Sequence, residues 1–315
     1  MFMKYIMKDN MMATLSSIDG GKLIQVFQHP ICAETNDYVV AKLMEDGVLN
    51  YNDVKVAELM YDAVICTEAQ LARFMESVGI TDTKNRMEIL FNNFVLDRFI
   101  FASEKDESFN AGFPGDAAVF YCLHSAGYKL LMRYSEKYYT WNPLNVTCCP
   151  KNLYKYIMTV EVDREFKRIF EGYDKFPLPF FRIASRKSNL MAEAVYAYKK
   201  NGRNRYILLD YFFKITSELH AIDVLNNYDM LLTTKLWRNF YPAEKPPVLC
   251  LVADSMETIG RMSNILVKTS PRLAEYVIFT LPEKIAEGLD KDDAFFNIEK
   301  DDSGDNALYT YKLDC

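Results

Sequence analysis

Residues 67–134 constrain the fold of this chain more than any other stretch. Thr67 opens a T-x-x-Q run that closes at Gln70. That is a capping box, in which the Thr hydroxyl and the Gln side chain each satisfy an orphan backbone N–H at a helix start. Leu71, Phe74, Met75 and Val78 follow at i, i+3, i+4 and i+7, so one helix face is apolar. Gly79 is placed to end that helix in a left-handed conformation, and Thr81, Asp82 and Thr83 are alternative caps for the next one. Met87, Leu90, Phe91 and Phe94 repeat the spacing, as do Val56, Leu59, Met60 and Ala63 on an upstream helix. Residues 96–102 (LDRFIFA) and 117–123 (AAVFYCL) read as strands, with the polar residues 103–116 between them. Ser125 is expected to cap a closing helix that carries Tyr128, Leu131 and Met132. Helix, turn, helix, hairpin, helix is the layout of a winged helix-turn-helix, used most often to bind duplex DNA.

On the third helix, Asn85, Ile89 and Asn92 point away from the apolar face, flanked by Arg86, Glu88 and Asn93. Asn and Arg make bidentate contacts to base edges, and this helix approaches the major groove by its N-terminal end, where Lys84 and Arg86 stand. The base-reading set is therefore Asn85, Arg86, Ile89 and Asn92, with Lys84 and Arg98 for phosphates. Charge keeps a second reading open. Residues 50–140 hold nine Lys/Arg against thirteen Asp/Glu, and the wing carries Glu104, Asp106 and Glu107. DNA binders gather positive charge because phosphate neutralisation supplies much of their affinity. A winged helix that holds a protein partner remains an alternative.

The whole chain, 315 residues with a formal net charge of −6, is too acidic for a general polyanion binder and too long for one small domain. Its seven cysteines show no paired CxxC spacing, Cys148–Cys149 is their only cluster, and His29, His124 and His220 are scattered. Free thiols in a reducing cytosol fit better than a zinc site. No apolar run is long enough to span a bilayer, and residues 1–12 lack the continuous apolar core of a signal peptide. A cytoplasmic protein without membrane association is expected.

Four segments follow: an extension (1–50), the winged helix (51–140), a linker helix (141–177) and an α/β domain (178–315). In the extension, residues 14–28 read as a hairpin turning at Asp19-Gly20-Gly21, and residues 36–46 as a helix ended by Gly47. In the last segment, residues 180–184, 191–200 and 205–214 read as strands. Asn201-Gly202 is a type I′ hairpin signal, and RYILLDYFFK is apolar enough to be a central strand. A helix over 217–237, a strand over 247–254, a helix capped by Ser255 and a strand over 276–281 complete a mixed sheet with helices on its faces. Residues 290–305 read as an acidic loop and 307–313 as an edge strand. The class is α+β.

Four stretches together resemble the replication-relaxation family of plasmid and conjugative-element proteins: CTEAQLARFM (66–75), FYCLHSAGYKLL (120–131), LMAEAVYAY (190–198) with RYILLDYFF (205–213), and PVLCLVADSMETIGRM (247–262). In the last, Arg261 stands where the family usually carries an arginine. The resemblance implies a winged helix followed by a restriction-endonuclease-like α/β domain with a mixed sheet, and a role in plasmid replication or DNA processing for transfer. Double-stranded DNA is the implied partner, with other replication or relaxosome proteins and a homodimer as further possibilities.

A nuclease of that fold needs two carboxylates for Mg²⁺ and a Lys two residues after the second. The candidates are Glu193, Asp210 and Lys214, but the Lys slot after Asp210 is Phe212 and the preceding acid slot is Leu208. The motif reads as degraded, so a non-catalytic domain without a cofactor is expected. Mg²⁺ belongs only to the nuclease alternative. No phosphate-binding glycine loop and no H-E-x-x-H occurs.

Overall fold

A computed structural model of the chain describes residues 4–17, 23–31, 33–103, 113–140, 142–177, 180–182, 189–214, 216–301 and 303–313. The fold is α+β, with a four-stranded antiparallel sheet, a seven-stranded mixed sheet and a two-stranded antiparallel ribbon among the described residues. The chain divides into two compact units, Met1–Val160 and Glu161–Cys315. Residues 1–50 thus fall in the first unit. The boundary falls inside one helix, Pro150–Ile169.

The first unit holds α1 (Met11–Ser17), β1 (Ile24–Phe27), α2 (Asp37–Glu45), α3 (Tyr51–Ala63), β2 (Ile65–Thr67), α4 (Glu68–Ser77), α5 (Thr83–Asn92), β3 (Leu96–Ala102), β4 (Phe120–Leu123), α6 (Ser125–Tyr134) and the first half of α7 (Pro150–Ile169). Its sheet runs β1-β3-β4-β2, antiparallel throughout. The capping box at α4 forms as expected: Thr67 Oγ1 accepts from Gln70 N at 3.2 Å, and Gln70 Oε1 accepts from Thr67 N at 3.0 Å. Gln70 is buried and also donates from Nε2 to Ile157 O, so the cap ties α4 to α7. Gly79 takes φ +87°, the left-handed stop, and Asp82 is the cap of α5. Leu71, Met75, Met87 and Leu90 are buried with Val56, Met60, Leu130 and Leu131 in one core. Burial of each such side chain contributes about 1.5–3 kcal/mol.

Three expectations for this unit are corrected. The first arm of the predicted hairpin at residues 14–28 is helical, since α1 runs to Ser17; Asp19, Gly20 and Gly21 lie outside the described residues. The second arm, β1, pairs across the chain with β3 and adds a fourth strand to the sheet. Ser125 is the first residue of α6 rather than its cap; the cap position is His124. The tip of the expected wing, with Glu104, Asp106 and Glu107, lies outside the described residues.

The second unit continues α7 into β5 (Glu171–Pro177), β6 (Phe180–Arg182), β7 (Asn189–Met191), β8 (Ala194–Lys200), β9 (Arg203–Phe212), α8 (Glu218–Thr233), β10 (Val248–Ala253), α9 (Met256–Thr269), β11 (Val277–Thr280), α10 (Pro282–Glu287), β12 (Phe295–Lys300) and β13 (Asn306–Tyr311). Its main sheet has the order β13-β12-β11-β10-β9-β8-β5. β5, β8 and β9 form an antiparallel meander, and β10 and β11 run parallel to β9. Asn201 and Gly202 take φ +52° and +73° in the β8–β9 turn, as a type I′ hairpin requires. β9 sits between β8 and β10 and is buried from Tyr206 to Phe212.

The first strand of the meander is β5, not residues 180–184. The helix ends at Ile169 and the chain turns within two residues. Pro177 closes an edge strand, where a missing N–H is tolerated. Phe180–Arg182 instead pairs with Asn189–Met191 in a separate two-stranded ribbon. The acidic tail is also more regular than expected: Phe295–Lys300 forms β12, because Phe295 is fully buried and Phe296 and Ile298 pack against the sheet core. No helix among the described residues is long and apolar enough to cross a membrane.

Candidate nucleic-acid interface

The helix α5 buries Met87, Leu90 and Phe91 and so turns Lys84, Asn85, Glu88 and Asn92 outward. Lys84, Asn85 and Asn92 are exposed. Ile89 is half-buried beside them. Asn85 uses its backbone N–H for the Asp82 cap, which leaves its side chain outside the helix.

Arg86 and Arg98 occupy different environments from the ones their sequence positions suggested. Arg86 faces α3, where it meets Asp53, a carboxylate with no solvent exposure. Arg86 Nε donates to Asp53 Oδ1 at 2.7 Å, Nη2 to Asp53 Oδ2, and Nη2 also to Val48 O at 2.9 Å. Asp53 in addition accepts from Asn50 N at 2.7 Å and so closes the capping box of α3. Arg86 is therefore withdrawn from base reading; it neutralises a buried acid and fastens α5 to α3. Arg98 lies over the Phe91 ring, 4.1 Å from its centroid, and donates to Glu88 at 2.7 Å and to Gln28 at 2.5 Å. A phosphate would have to displace these two acceptors, so Arg98 is not a ready contact. Lys84 is the cation left at the start of the helix.

Behind Arg98 lies a polar cluster that sequence reasoning missed, with Asp97 and His124 buried and His29 half-buried. His29 and His124, 95 residues apart in the chain, have ring centroids 5.9 Å apart. His29 stacks on Phe91 at 4.2 Å, and its Nδ1 is 3.5 Å from Asp97 Oδ1. Burial pushes the Asp97 carboxyl up to about 6 and holds both imidazoles below their usual range. Only the pairing of β1 with β3 brings His29 here, and nothing in the local pattern around His29 signals that pairing.

In the second unit, the register Ala194↔Leu209 places Glu193 opposite Asp210, on the face that carries α8. Two of the three nuclease candidates are thus neighbours. Asp210 is buried, however, and its Oδ2 accepts from Tyr228 Oη of α8 at 2.9 Å. Lys214 stands beyond the end of β9, exposed, with its ammonium 2.8 Å from Glu257. Arg261 holds the chain there, donating to the carbonyls of Phe213 and Lys214. Asp210 is capped by a phenol, and Lys214 is held by Glu257 rather than by the acid pair. Among the described residues no group of three or more His, Cys, Asp or Glu is arranged to hold a metal ion.

A scan against protein-family models finds no match for this chain, and no curated protein matches it.

Proposed function

We propose that the first unit is a winged helix that binds double-stranded DNA, and that the protein is a non-catalytic, cytoplasmic DNA-binding accessory protein of a mobile genetic element. Its role would lie in plasmid replication or conjugative DNA processing, as the family resemblance implies. One observation carries the reading: Lys84, Asn85 and Asn92 are all exposed on the outer side of α5. Two amides and an ammonium on one helix face have the chemistry for base edges and a phosphate. The order of α3, β2, α4, α5, β3 and β4, with β4 between β2 and β3, supports the same reading.

The test is fluorescence polarisation with a random-sequence duplex, followed by selection from a duplex pool. Binding should be measurable at about 50 mM salt and weaken steeply by about 200 mM. Asn85→Ala and Asn92→Ala should each cost about 1–3 kcal/mol against the selected site and little against random duplex. Absence of binding at the lower salt defeats the proposal. A protein-interaction role is the second reading, favoured by Glu88 in the middle of the same helix face. A pull-down that recovers a protein partner and no nucleic acid would favour it.

A further inference from the structure

Residues 199–205 (KKNGRNR) carry four cations and no acid, in a chain whose net charge is −6. They close the β8–β9 hairpin around the Asn201-Gly202 turn. Lys200 stands directly opposite Arg203, and Tyr198 opposite Arg205. Side chains alternate along a strand, so Lys200, Arg203 and Arg205 share one face, with Arg205 diagonal to Lys200. Like charges placed opposite each other destabilise a strand pair, so the hairpin gains no stability from this cluster. Lys199 and Asn204 take the other face, with Glu171 of β5 beside Lys199. The three clustered cations are not neutralised by buried acids. Arg203 Nη1 lies 2.6 Å from Glu244 Oε2, but the two side chains are 61 % and 63 % exposed, so water and salt weaken the pair. Arg205 Nη1 donates to a neutral acceptor, Asn204 O, at 3.1 Å. The tip also extends past its neighbours. β9 pairs with β10 only from Ile207 onward, and β8 with β5 only as far as Lys199. Asn201, Gly202, Arg203 and Asn204 are exposed. The base is fixed by buried rings: Tyr198 stacks on Phe170 at 4.1 Å, and Tyr206 lies 4.6 Å from Tyr241.

We propose that the tip of the β8–β9 hairpin is a phosphate-backbone contact for duplex DNA, made by Lys200, Arg203 and Arg205 and independent of the outward face of α5. A two-stranded ribbon is narrow enough to enter the major groove, where cations along its flank meet the phosphates. A bound phosphate displaces Glu244 from Arg203 and relieves the repulsion between Lys200 and Arg203. Such a contact adds affinity on any sequence and no base preference. An anionic membrane is a poorer match, because a segment that lies in one presents apolar side chains to it. Here the tip is polar, and the aromatic rings at its base are buried.

Fluorescence polarisation of the full chain on a random-sequence duplex, between about 50 and 200 mM salt, tests the contact. Each phosphate neutralised adds about 0.9 to the slope of log affinity against log salt, so Lys200→Gln/Arg203→Gln/Arg205→Gln should flatten the slope by about 2.7. Across that range the wild type should lose about fortyfold more affinity than the variant. The variant should unfold at a urea concentration no lower than wild type, because it loses a like-charge contact. Arg203→Gln alone, at an exposed position, should flatten the slope by about 0.9 and replaces the triple variant should that not fold. Glu244→Gln should tighten binding, since it removes the acid that a phosphate must displace. Wild-type slopes in the hairpin variants overturn the proposal, as does binding to phosphatidylserine vesicles with none to duplex. If Lys84→Gln flattens the slope and the hairpin variants do not, the α5 reading stands and the hairpin contact falls. The reverse result keeps the hairpin contact and removes the α5 reading.

Discussion

Arg86 illustrates how a charged residue on an amphipathic helix is assigned by its neighbours. By spacing it borders the outward face of α5, but a buried carboxylate across the core, Asp53, takes the whole guanidinium. Removing one partner of such a pair leaves an uncompensated buried charge, which costs about 3–5 kcal/mol. Arg86→Ala should therefore lower the unfolding free energy by about that amount, measured by urea denaturation. Asn85→Ala, with no described side-chain partner to lose, should stay within about 0.5 kcal/mol of wild type. An Arg86→Ala protein as stable as wild type would show that the pair with Asp53 contributes little. Loss of DNA binding in Arg86→Ala therefore reports folding before it reports recognition.

At the scale of elements, α6 is the most exacting. A Cβ at Gly127 would lie 2.4 Å from the carbonyl oxygen of Val95 and 2.8 Å from Leu123 Cδ2. The same carbonyl accepts from His124 N at 3.0 Å, so the helix start is drawn onto the α5–β3 turn and cannot retreat without losing that bond. Alanine is the better helix former by about 1 kcal/mol. Gly127→Ala should nevertheless destabilise the protein, by about 1–3 kcal/mol, because the close approach outweighs propensity. Thermal unfolding reads the sign directly: a raised midpoint contradicts the packing described here. Gly127 therefore has a steric reason to be glycine.

For the whole molecule, the question is whether the second unit retains chemistry. Glu193 and Asp210 are cross-strand neighbours, but Tyr228 caps one acid and Lys214 is paired with Glu257. Supercoiled plasmid incubated with the protein and Mg²⁺ or Mn²⁺ should remain uncut. Nicking that disappears in Asp210→Asn would instead establish the nuclease alternative and remove the non-catalytic reading.

Much of the order of elements from α3 to β11 was legible from local pattern. Capping boxes, helical spacing, the Asn201-Gly202 turn and the apolar run of β9 act within a few residues of themselves, and backbone hydrogen bonding makes such signals nearly independent of the rest of the chain. Which strand of the meander comes first, the strand β12 in an acidic tail, and the pairing of β1 with β3 depend on partners far along the chain. The candidate site divides the same way. Lys84, Asn85 and Asn92 were readable as the outward side of a helix. The commitment of Arg86 to Asp53, of Arg98 to Gln28 and Glu88, and of His29 to His124 and Asp97 was not, because a charge or a buried ring takes its role from whatever the fold brings within a few ångströms of it.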